Sequence, residues 1–156
     1  MGKNRLLVSS YRTVFLIAVM LCASCSLPRI IVLHDPLTAE EHINLGVTYE
    51  NKKEYDEALK EYEAALKRMP VAYLYMGNIY FQKGSVADAE RCYEKAIQKT
   101  GDPRAYNNLA WLYYVKRIKL DEAENLARRA VELSPDAQDY KDTLDKIIEE
   151  KGKSIL

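Results

Sequence analysis

From residue 37 onward, apolar residues return at the helical period and not at the two-residue period of a strand. In three places a large apolar residue is followed by a small one and, three positions further on, by a tyrosine. These are Leu45, Gly46, Tyr49, then Met76, Gly77, Tyr80, then Leu109, Ala110, Tyr113. A second block follows each: Ala58, Tyr62, Ala65, then Ala89, Tyr93, Ala96, then Ala123, Ala127, Ala130. Spacings of three, four and seven put one apolar stripe on each helix, so the pattern predicts three helix pairs and no strand of consequence. Helices that pack within about 8–10 Å need small residues at the contact, and Gly46, Gly77 and Ala110 are placed to supply them against the alanines of the second helices.

Helix ends are marked as well. Thr38 with Glu41 forms a capping box, Ser85 with Asp88 a weaker one, and Asp102-Pro103 and Ser134-Pro135 each pair a cap with proline at the first helical position. Gly84 is a stop between the two helices of the second pair. The interval from Gly46 to Gly77 is 31 residues and that from Gly77 to Ala110 is 33, while Tyr113 to Ala123 is one residue longer than its counterparts. These differences are expected in the turns, leaving the helices intact. Beyond Pro135 a last helix carries Ala137, Tyr140, Leu144, Ile147 and Ile148 on one face, and Asp139, Asp142, Asp145, Lys146, Glu149 and Glu150 on the other. Such a helix suits the end of a stack, which otherwise exposes apolar surface.

The pattern resembles the tetratricopeptide repeat, a helix-turn-helix unit of about 34 residues reading W-x2-L-G-x2-Y, then A-x3-F and P. His42, Tyr73 and Tyr106 stand where that pattern has tryptophan. The resemblance implies an all-α fold, a right-handed α-solenoid of three helix pairs. Its repeats lie within residues 37–135, at about 39–70, 71–102 and 103–135, with a capping helix over 136–150.

Residues 1–12 hold Lys3, Arg5, Arg12 and no acid, and residues 13–28 then run without a charge as far as Arg29. That is the layout of a secretory signal, and the run is short of the roughly 20 apolar residues a membrane span needs. Its end, CASC, resembles the lipobox of bacterial lipoproteins: Ala23 and Ser24 precede Cys25, with Cys22 where leucine or valine is usual. The resemblance implies a signal sequence over 1–25, lipidation at Cys25 and a tether over 26–36. The protein would then sit in the bacterial cell envelope as a membrane-anchored lipoprotein facing the periplasm or exterior. A cleaved soluble protein and an uncleaved anchor are the alternatives.

The signal takes three bases and no acid out of the count, leaving 20 basic against 23 acidic residues. A chain without a basic excess has no electrostatic footprint for nucleic acid. Catalytic chemistry is absent from the pattern too. His34 and His42 are eight apart, EEHINLG lacks the second histidine of a metal-binding helix, and Cys92 has no histidine in its own repeat. No glycine-rich phosphate loop or G-x-S-x-G elbow occurs. The expectation is no enzyme, no cofactor, no metal, and a function in binding, with Cys92 as a packed thiol.

Tetratricopeptide arrays bind peptides in a concave groove lined by the first helix of each repeat, and the resemblance carries that expectation here. In NNLAWLYY the packed stripe is Tyr106, Leu109, Ala110 and Tyr113, and the stripe beside it is Asn107, Trp111 and Tyr114. The equivalent positions are Leu74, Asn78 and Phe81, and before them Ile43, Val47 and Glu50. The expected groove is therefore Val47, Leu74, Asn78, Phe81, Arg104, Asn107, Trp111 and Tyr114, with Trp111 either lining it or belonging to the core. Family members that clamp a C-terminal carboxylate use lysines and asparagines on three first helices. Ile43 and Val47 in the first repeat, with only Asn108 and Arg104 near clamp positions, argue against that mode and for an apolar peptide or a partner helix. Two functions fit: an envelope-anchored adaptor that scaffolds an assembly, or an accessory module to an exported cysteine peptidase acting in trans. The second rests on the similarity of DPLTAEEHINLGVTYE, NNLAWLYY and YKDTL to the repeat tail of some such peptidases.

Overall fold

The computed structural model describes residues 35–153. Among them are seven α-helices and no strand: α1 Ala39–Asn51, α2 Tyr55–Ala65, α3 Ala72–Gln82, α4 Val86–Thr100, α5 Pro103–Lys116, α6 Leu120–Leu133 and α7 Gln138–Lys153. The expected signal sequence, its lipidation site Cys25 and nearly all of the tether lie outside the described residues. Within the described residues no helix is long and apolar enough to cross a membrane.

Helices pair as α1 with α2, α3 with α4 and α5 with α6; each pair packs on the next, and α7 lies against α6 and α5. The small residues are where the pairs close. A Cβ on Gly46 would come 2.4 Å from Cε1 of Tyr62, and one on Gly77 2.5 Å from Cε1 of Tyr93. Both rings are buried, so the glycines make room for aromatic rings of the second helix and not for its alanines alone. In the third pair Ala110 stands at the glycine position and Ala127 at the tyrosine position, both fully buried. A small residue on the second helix accommodates the extra methyl on the first.

Each first helix ends in the same turn. Lys53, Gly84 and Arg117 adopt left-handed φ values of 62°, 75° and 53°. The next residue's N–H donates back to the carbonyl of the repeat tyrosine: Glu54 to Tyr49 at 3.0 Å, Ser85 to Tyr80 at 2.9 Å, Ile118 to Tyr113 at 3.0 Å. This is the Schellman closure, for which glycine is the unstrained residue. The extra residue of the third turn is taken up by a further left-handed residue, Lys119, at φ 46°. Lys53 is exposed, so Lys53→Gly removes only its backbone strain. Offset by the entropy glycine gains when unfolded, the change should raise stability by about 0.5–1 kcal/mol in a urea melt.

The capping box at Thr38 is present, with Thr38 N–H donating to Glu41 Oε2 at 2.7 Å and Glu41 N–H to Thr38 Oγ1 at 3.2 Å. Asp102 accepts from the Arg104 N–H at 2.9 Å with Pro103 in the first turn of α5. Two other caps differ from expectation. The Ser85 side chain accepts no capping bond, and Asp88 pairs with Arg91 instead. Ser134 closes α6, and its carbonyl accepts from Ala137 N–H at 3.1 Å, so Ser134-Pro135 forms a turn ahead of a helix that starts at Gln138. The short first interval is also not a change in the turn alone. Helix α2 stops at Ala65, whereas α4 continues past the equivalent Ala96 to Thr100, so the missing residues remove the last turn of α2.

Candidate binding cleft

The first helices α1, α3 and α5 turn the flank of their packed stripes toward one cleft of about 320 Å³. Its walls are Glu50 of α1; Asn78, Phe81 and Gln82 of α3; Tyr93 of α4; and Asn108 and Trp111 of α5. The repeat tyrosine Tyr113 is fully buried between helices, so Trp111, two positions before it, is carried to the side of α5 that opens on the cleft.

Two hydrogen-bonded groups organise the polar part. In one, Asn78 Oδ1 accepts from Tyr93 OH at 3.0 Å and from Asn108 Nδ2 at 2.9 Å. In the other, Glu50 Oε2 accepts from Tyr62 OH at 2.8 Å and Glu50 Oε1 from Gln82 Nε2 at 3.0 Å, while Tyr55 OH donates to Gln82 Oε1 at 2.9 Å. Burial, reinforced for Tyr62 by the neighbouring Glu50 carboxylate, pushes the Tyr62 and Tyr93 phenols well up from their usual range, so both stay protonated donors. Each tyrosine therefore packs its ring under a glycine and fixes a cleft side chain with its hydroxyl. Among the described residues, the Asn78 amide nitrogen and the Asn108 amide oxygen make no hydrogen bond. They leave one donor and one acceptor of the pair open, the two kinds of group a peptide backbone bonds to.

The apolar part is Phe81 and Trp111. Tyr114 tilts against Trp111, centroids 5.2 Å apart at 38°. The Lys146 ammonium of α7 stands 5.2 Å from the indole centroid.

Of the eight residues expected in the groove, Asn78, Phe81 and Trp111 line the cleft, with Tyr114 tilted against the last. Leu74 does not: at 2 % exposure it is part of the core beneath the second and third pairs. Val47 is half-buried against the core of the first pair. Arg104 is exposed and forked onto Asp102, with Nη2 to Oδ2 at 2.6 Å, and that pairing holds the Asp102 carboxyl below its usual range. Asn107 is half-buried off the cleft wall, and its Oδ1 has no hydrogen-bond partner among the described residues. Gln82, Tyr93 and Asn108 were outside the expected groove, and Glu50 entered it only by equivalence. Gln82 had no signal in the stripe. Tyr93 did, since a packed tyrosine needs an acceptor for its hydroxyl.

No group of histidine, cysteine, aspartate or glutamate residues suited to a metal ion occurs among the described residues. Cys92 is a buried free thiol, its pKa raised by that burial.

Models of the tetratricopeptide repeat match residues 39–70 and 74–138, together more than half the chain. No curated protein matches it. Among solved structures, the first tetratricopeptide domain of Spaghetti (RPAP3), bound to the HSP90 peptide SRMEEVD, superposes with a TM-score of 0.68 at 24% identity, covering 78% of this chain and 98% of that one. The corresponding domain of Sgt2 from Aspergillus fumigatus gives 0.68 at 16% identity, covering 74% and 80%. At these identities the likeness is one of fold.

Proposed function

Because the chain belongs to the tetratricopeptide repeat family, we propose that it is an adaptor, tethered to the bacterial envelope by a lipid on Cys25, that holds a protein partner by a peptide segment laid in the α1–α3–α5 cleft. The observation that carries the binding half is the presence of an open amide donor and acceptor, on Asn78 and Asn108, with the aromatic rings of Phe81 and Trp111 in one cleft. Backbone bonding gives such a site affinity and the rings give it an anchor. The solved relative that holds SRMEEVD supports a peptide as ligand. The anchoring half rests on the charge layout of residues 1–28 and the CASC stretch.

Trp111→Ala should weaken capture of the native partner from solubilised envelopes about 30-fold, the effect of a dominant aromatic anchor of about 2 kcal/mol, while the melting temperature stays nearly unchanged. A large fall in melting temperature with capture intact makes the ring core and removes this site. Radiolabelled palmitate should follow the wild type and vanish in Cys25→Ser together with most membrane retention. Full retention without label means that an uncleaved helix is the anchor.

A further inference from the structure

We propose that the cleft seats an arginine side chain of the bound peptide against Glu50, an inference that rests on the peptide-binding reading above. Every other half-buried carboxylate among the described residues has a basic side chain within ion-pair distance, from Glu61 with His42 at 2.7 Å to Glu150 with Arg117 at 3.1 Å. Glu50 is the exception. Its recorded partners, the Tyr62 hydroxyl and the Gln82 amide, are neutral donors, and no lysine or arginine lines the cleft.

Each Glu50 oxygen accepts one bond and keeps capacity for a second. A half-buried carboxylate whose only partners are neutral gains a charge-assisted bond when a ligand brings the counter-charge. The rest of the wall selects the kind of cation. Phe81 and Trp111 line the same cleft, and a guanidinium both packs on aromatic rings and meets two carboxylate oxygens with its planar fork. An ammonium does the second less well. Tyr62 and Gln82 hold the carboxylate in place before any ligand arrives, so little ordering remains to be done on binding. The same carboxylate disfavours an acidic tail such as SRMEEVD in this part of the cleft.

Trp111 is the chain's single tryptophan, so its emission reports on the cleft directly. The full-length chain in detergent would be titrated with the acetylated, amidated pentapeptide Ala-Leu-Arg-Leu-Ala and with its twin carrying citrulline, which is neutral and nearly isosteric, in place of arginine. The expected result is at least 10-fold tighter binding of the arginine peptide, an advantage that shrinks as salt rises. It should disappear in Glu50→Gln, which keeps an amide oxygen to accept from Tyr62. Equal binding of the twins, no response to either at millimolar concentration, or an undiminished advantage in Glu50→Gln each overturns the arginine pocket. The adaptor reading is judged separately: partner capture that falls in Trp111→Ala and not in Glu50→Gln leaves the cleft standing and removes only the arginine.

Discussion

Gly77→Ala should lower the melting temperature by roughly 10 °C, although alanine is the better helix former by about 1 kcal/mol. The new Cβ would lie 2.5 Å and 2.6 Å from Cε1 and Cδ1 of Tyr93, well inside any real carbon contact. The ring has no easy retreat, since it is 2 % exposed and its hydroxyl is tied to Asn78 Oδ1 at 3.0 Å. Overpacking of this kind costs about 1–3 kcal/mol or more, so the loss outweighs the gain in propensity. The third pair shows the remedy, with Ala110 at the glycine position and Ala127 at the tyrosine position. Tyr93→Ala alone should cost about 3–5 kcal/mol through the cavity it leaves, and in that background Gly77→Ala should turn neutral or stabilising. A double-mutant cycle by urea unfolding measures the reversal. If Gly77→Ala costs the same with and without the tyrosine ring, the clash is not its cause.

What could be read from the chain follows from the range of each interaction. The three pairs were legible because Gly46, Gly77 and Ala110 recur with fixed neighbours, and helical spacing converts that recurrence into stripes. Trp111 reached the cleft for the same reason, lying next to a stripe that had to be buried. Leu74 shares its position in the repeat with Asn107, yet it went into the core of the second and third pairs, because how deeply that position is buried depends on how neighbouring pairs stack. The hydrogen bonds that fix the cleft join residues on different helices: Glu50 to Tyr62 and Gln82, and Asn78 to Tyr93 and Asn108. A period along one helix carries no information about such partners. Ser85 failed as a cap for a local reason, its φ of −81° and ψ of 76° departing from the extended conformation that serves at Thr38 and Asp102.

Ending the chain at Pro135 should abolish cooperative unfolding or leave an associating species, because α7 covers the open side of the last pair. Tyr140, Thr143 and Ile147 are buried, and Ile147, at 0 % exposure, joins the same core as Leu112, Ala123 and Ala127. Burying two side chains the size of isoleucine and tyrosine contributes about 4–5 kcal/mol, a large share of the 5–15 kcal/mol a domain usually has. The ion pairs are secondary. Lys151 Nζ reaches Asp121 Oδ1 at 2.6 Å and Glu124 Oε2 at 2.7 Å, but Asp121 is 93 % exposed and solvent screens such contacts. A point variant separates covering from mere length. Ile147→Ala keeps the helix and should cost about 2–5 kcal/mol, whereas Ile148→Ala should stay within about 0.5 kcal/mol. Ile148 is 42 % exposed, although its spacing had put it on the apolar face. Removing α7 also removes Lys146 from the indole of Trp111, so emission from the cleft should change along with stability. A truncated chain that stays monomeric and melts where the full chain does would mean that the last pair closes on itself and that α7 serves some purpose other than a cap.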